Sequence, residues 1–139
     1  MSLLLGGPGG SEVFGLGRLD LVTVETDGTI ELDDVLKTAT PGAPETGLCV
    51  ERHSFEDYLL LPEVSKRQRG LAGLSKTCQS CGLVTACGGG LYAHRFQKIS
   101  GYENPSVDCR DLAAFIRHVA RTLAADLTPT KISRSDRLQ

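Results

Sequence analysis

Cys78 and Cys81 have two residues between them, Cys87 follows after five more, and Cys109 lies beyond a gap of 21 residues. A CX2C pair lets two thiolates converge on one centre while the amides between them turn toward the sulfurs. A third thiolate close by and a fourth from a distant segment complete the donor set of a structural zinc or of a [4Fe–4S] cluster. The spacing alone leaves both open. Cys109 falls where a helix is expected to begin, a position that favours a thiolate because the free N–H groups and the helix dipole stabilise negative charge.

Competing chemistries fit the same stretch, CQSCGLVTACGGGLYAHRF, less well. A phosphate loop needs a Gly-Lys-Ser/Thr run opening a helix after a strand, and GGGLYAHR has none. A Cys87–His94 nucleophile pair lacks an orienting third group. A thioredoxin-like pair needs a βαβ context that the flanking sequence does not supply. The three glycines are read as backbone passing close to something bulky, in conformations other residues avoid.

These cysteines need elements to hold them. LDLVTVETDGTIEL reads as a β-hairpin from about Leu19 to Leu32, with Asp27-Gly28 as its two-residue turn. KTATPGAPETGL, with Pro41, Gly42, Pro44 and Gly47, reads as loop. SFEDYLLLPEVSKRQRGLAGLS reads as two short helices, the first capped by Ser54 with Asp57 and the second opened by Pro62. The cysteine segment reads as loop. In the last helix Leu112, Phe115, Ile116, Val119 and Leu123 form one apolar stripe. The expected fold is a small α+β domain over residues 19–126, after a flexible glycine-rich lead-in (1–18) and before a polar, disordered tail (127–139).

Composition narrows the function. The 139 residues include 40% apolar and 5% aromatic, with no Trp, so a bound metal or partner would help hold the fold. The formal charge of −2, with no concentrated basic face, argues against nucleic-acid binding. No apolar run approaches the roughly 18 residues of a membrane span, and MSLLLGGPGG lacks the n- and h-regions of a signal peptide. A reducing, cytoplasmic setting is therefore expected, and an odd count of five cysteines fits it.

At the level of motif, the chain resembles the SPASM domains, C-terminal extensions of radical SAM peptide-modifying enzymes that carry a CX2CX5CX3C run and a final cysteine some twenty residues later. VETDGTIE, CGGGLYAHRF and GYENPSVDC resemble the actinobacterial cyclophane-forming maturases, over roughly residues 10–123. The resemblance implies that Cys78, Cys81, Cys87 and Cys109 hold one auxiliary [4Fe–4S] cluster, with Zn2+ the alternative from the residues alone. Leu91 stands where the run's fourth cysteine would be, so the family's other auxiliary cluster is expected to be absent. Cys49 is read as a buried or half-buried side chain. No CX3CX2C loop or barrel is present, so S-adenosylmethionine would enter only through a partner radical SAM core protein or domain, and the chain is not expected to be catalytic alone. A precursor peptide is a second candidate partner. His94 and Arg95 are read as open to contact with a cluster, a precursor peptide or a partner, beside a plain surface role. Tyr92 and Phe96 are expected to pack under the cysteine loop, His53 to make a local bond at a helix start, and His118 to ligate nothing.

Overall fold

The computed structural model describes Leu4, Gly7 and residues 13–127. It is a mixed α+β fold. Strands β1 (Thr23–Val24), β2 (Thr29–Glu31) and β3 (Glu45–Cys49) form an antiparallel sheet in the order β1-β2-β3. The hairpin is where the β-formers place it, but its turn is longer than expected. Gly28 N–H donates to Glu25 O and Glu25 N–H to Thr29 O, both at 2.9 Å, which makes a three-residue loop, Thr26–Gly28. Gly28 closes it at φ 83°, where the left-handed region favours glycine. The Asp27 carboxylate accepts from Thr29 N–H at 2.9 Å and so completes the turn from its side chain.

The stretch after the hairpin, which includes the KTATPGAPETGL segment read as loop, holds most of the missed structure. A 3-10 turn runs over Asp34–Thr38, capped by the Asp33 carboxylate on Val35 N–H. Strand β3 follows, pairing Ile30 with Leu48 and Thr29 with Cys49. The register shifts between Ile30 and Glu31, and the Thr46 hydroxyl donates to Ile30 O there. An edge strand tolerates such irregularity and the nearby Pro and Gly.

Helices α1 (Phe55–Leu60) and α2 (Pro62–Arg67) meet the expectation of two short helices split at Pro62. Ser54 and Asp57 form a full capping box: Ser54 N–H donates to Asp57 Oδ2 at 2.8 Å and Asp57 N–H to Ser54 Oγ at 3.2 Å. The His53 ring bonds locally, its Nδ1 lying 3.1 Å from Cys49 N. The core gathers Ile30, Leu36 and Val64, all fully buried, with Leu19, Leu32, Tyr58, Tyr92 and Ala93. The sheet, the two 3-10 turns at Asp34–Thr38 and Tyr92–Arg95, and α1 and α2 all contribute to it.

The cysteine segment is not plain loop. It contains two single-turn helices, α3 (Lys76–Gln79) and α4 (Val84–Cys87). The long helix α5 spans Cys109–Leu127 and packs against α4. Of its expected stripe, Ile116 is buried and Leu112, Val119 and Leu123 are half-buried. Phe115 is exposed instead, its ring 6.0 Å from that of Phe14. Among the described residues no helix is long and apolar enough to cross a membrane. Of the lead-in, Val13–Arg18 are described together, and Gly15 N–H donates to Ala86 O at 3.0 Å. Leu127 ends α5; the rest of the expected tail lies outside the described residues.

Candidate metal centre

The three segments converge on one small cavity of about 80 Å³. Cys78, Cys81, Cys87 and Cys109 all line it, with Val84 and Leu112 as apolar neighbours. Helix α3 supplies Cys78, which is buried, and Ser75 caps that helix by accepting from Cys78 N–H. The chain turns at once so that Cys81 N–H donates to Cys78 O at 3.0 Å. Leu83 N–H in turn points at Cys81 Sγ, 3.5 Å away. Cys87 ends α4, and Cys109 opens α5, the helix start expected for it. Every cysteine is free of disulfide bonding.

A tetrahedral zinc with Zn–S near 2.3 Å holds its sulfurs about 3.8 Å apart. No three of the four sulfurs lie within 4.8 Å of one another; among the described residues only Glu25, Glu31 and Asp34 form such a group. A cubane cluster spreads its four ligand sulfurs about 6 Å apart, one at each iron corner. The acidic trio is already served by a cation, since Lys37 Nζ sits 3.0, 3.4 and 2.8 Å from Glu25, Glu31 and Asp34.

Burial pushes the Cys87 thiol up, and the neighbouring Cys109 and Cys78 push it the same way. The backbone amides of Gly89 and Gly90 act in the opposite direction on the thiol, and Gly90 N–H donates to Cys87 O at 3.1 Å.

The glycine run is shaped by what it must pass. At Gly88 (φ 63°) an added Cβ would meet Gly15 O at 1.8 Å. At Gly90 (φ 70°) it would meet Leu112 Cδ1 at 2.8 Å and Ser106 Cβ at 3.0 Å. The close approach read from the sequence is thus present, and the bulky neighbours are the chain's own Gly15, Leu112 and Ser106.

The group that sequence reasoning undervalued is Arg95. Its guanidinium gathers all three glycine carbonyls: Nη2 donates to Gly88 O at 2.8 Å and Gly90 O at 2.7 Å, and Nε to Gly89 O at 3.1 Å. Burial lowers its pKa, while Cys78, Tyr92 and Cys87 act to raise it. A positive charge is thereby fixed on the glycine run that follows Cys87. The available signal was a cation shortly after a run of carbonyls with no side chains to shield them.

His94 pairs with Asp108, Nδ1 to Oδ2 at 2.7 Å, and Val107 N–H donates to His94 O at 2.9 Å. Ser106 O accepts from Cys109 N–H and Ser106 Oγ from Asp108 N–H. Together these tie the loop to the residue that precedes Cys109. Tyr92 is buried and stacks on Tyr102 with centroids 4.4 Å apart, and Phe96 leans on Tyr102 at 5.3 Å, so the two share one aromatic group with Tyr102. Burial pushes the Tyr92 hydroxyl up to about 12. Cys49 is half-buried beside Gly28 and does not line the cavity, and neither does Leu91. His118 is exposed on α5. No protein-family model, curated protein or solved structure matches the chain.

Proposed function

We propose that the chain is a single-cluster, SPASM-like domain that holds one [4Fe–4S] cluster on Cys78, Cys81, Cys87 and Cys109 in a reducing, cytoplasmic setting. The observation that supports this reading most is the convergence of four disulfide-free cysteines, from three separate segments, on one cavity. The cluster, when bound, supplies one-electron transfer. The chain's own groups set its surroundings. Arg95, fixed on the glycine carbonyls, supplies positive charge toward a thiolate-held centre, and Val84 and Leu112 keep the cavity apolar.

In this reading the domain serves a radical SAM peptide maturase as an electron-transfer or substrate-docking module in the crosslinking of a ribosomally made precursor peptide. It is not catalytic alone, and S-adenosylmethionine is bound by the partner core. Anaerobic isolation followed by iron, sulfide and zinc analysis tests the metal. Broad absorption near about 400 nm with stoichiometric sulfide supports the cluster. A colourless protein with one zinc and no sulfide overturns it in favour of a zinc-stabilised interaction domain. Co-purification with a radical SAM protein tests the partner; failure of both proteins to associate when co-expressed counts against that part alone.

A further inference from the structure

Phe14 and Gly15 are neighbours in the chain, yet they touch the two helices that deliver Cys87 and Cys109. Gly15 N–H donates at 3.0 Å to the carbonyl of Ala86, the residue before Cys87. Gly15 O lies so close to Gly88, the residue after Cys87, that a Cβ on Gly88 would stand 1.8 Å from it. The Gly15 backbone, at φ 89°, therefore seats on the end of α4 at both flanks of that cysteine. The Phe14 ring faces the other helix, its centroid 6.0 Å from that of Phe115. Phe115 lies about one turn beyond Leu112, which lines the cysteine cavity about one turn after Cys109.

This strap reaches the two helices from a fixed base. Leu19 is buried in the core, and its carbonyl accepts from Gln68 Nε2. Arg95 and the His94–Asp108 pair brace the long connection between Cys87 and Cys109 from within it. Phe14 and Gly15 join α4 to α5 from outside that connection. An aromatic contact of this kind is worth a factor of about two to ten in an equilibrium. Coupling between two equilibria is reciprocal, so what the centre gains from the strap, the strap gains from the centre.

We infer that Phe14 and Gly15 are positioning residues for the cysteine centre: they hold α4 against α5 so that Cys87 and Cys109 face one ligand. The inference rests on the proposed reading of the four cysteines as a metal centre, and not on whether that centre is a cluster or zinc. The test is the rate at which the full chain, isolated anaerobically, gives up its metal to excess chelator in native buffer. Bathophenanthroline reads iron and pyridylazoresorcinol reads zinc, with iron, sulfide and zinc counted on the same sample. Phe14→Ala and Phe115→Ala should each release metal about fivefold faster than wild type. The double variant should be no faster than either, because both remove the same contact. Phe14→Tyr keeps the ring and should release at the wild-type rate. Phe55→Ala truncates a ring of equal exposure, 55% against 54% for Phe115, on α1 and should also release at the wild-type rate. Wild-type release from Phe14→Ala overturns the inference. So does equal acceleration in Phe55→Ala, the mark of general destabilisation, or a double variant faster by the product of the single effects. Zinc in place of iron and sulfide overturns the proposed function and leaves this coupling to be decided on zinc release; a chain that binds neither metal overturns both.

Discussion

Replacing Arg95 with Met removes a charge and a fork of three donors while keeping a long apolar side chain against Tyr92. In the wild type each glycine carbonyl from 88 to 90 accepts from this one guanidinium, at 2.7 to 3.1 Å. A hydrogen bond to a charged group contributes roughly 1.5–3 kcal/mol net, so three taken independently would exceed about 5 kcal/mol. They share one side chain, and the variant escapes the cost of desolvating a cation, so the sum is an upper bound. Three carbonyls on buried glycines nevertheless lose their partner together. The expected loss is about 3 kcal/mol, or a midpoint lower by about 12 °C for a domain of this size. Urea unfolding followed by circular dichroism, on protein isolated anaerobically, measures it. Arg95→Lys keeps the charge but presents no planar fork, and should recover less than half of the loss. A change below about 0.5 kcal/mol for Arg95→Met would refute the reasoning, because it would mean that the glycine run holds its course without the clamp.

Gly88→Ala places a Cβ 1.8 Å from Gly15 O at a φ of 63°; it should release the Val13–Gly17 segment and make it an early site of limited proteolysis. Ile30→Ala empties the centre of the core, where the side chain is fully buried, and should cost about 3 kcal/mol in urea unfolding. The Ser54 backbone N–H, then its hydroxyl, holds the Asp57 carboxyl below its ordinary value. A depressed folded-state pKa contributes stability above the unfolded value and loses it as pH falls through the folded one. Asp57→Asn should therefore be less stable than wild type near about pH 7, with the difference closing below about pH 3, as thermal melts across that range will show.

What the residues disclosed beforehand was local. Ser54, Asp57 and Pro62 act within a few positions of themselves, so the capping box and the break between α1 and α2 were readable. The four cysteines were readable as a set because donor chemistry and spacing name them without reference to the fold, and they share one cavity. Strand β3 was hidden because its residues pair through β2 rather than through their own alternation, with Pro44 and Gly47 masking an edge strand. Asp27-Gly28 marked the turn but not its length, which Glu25 sets by bonding both Gly28 and Thr29. Phe115 has stripe spacing, yet it lies on the side of α5 that meets Phe14 rather than the core. Arg95 and Gly88 were opaque for one reason: each acts on groups brought close only by folding, the glycine carbonyls and Gly15.

The central claim is that four cysteines surround a cluster rather than an ion. Iron, zinc and acid-labile sulfide, counted per chain on anaerobically isolated protein, address it most directly. The account predicts about four irons and four sulfides with no zinc, and a parallel loss of iron and sulfide in Cys109→Ser but not in Cys49→Ser. One zinc per chain without sulfide, or iron retained undiminished by Cys109→Ser, would contradict it.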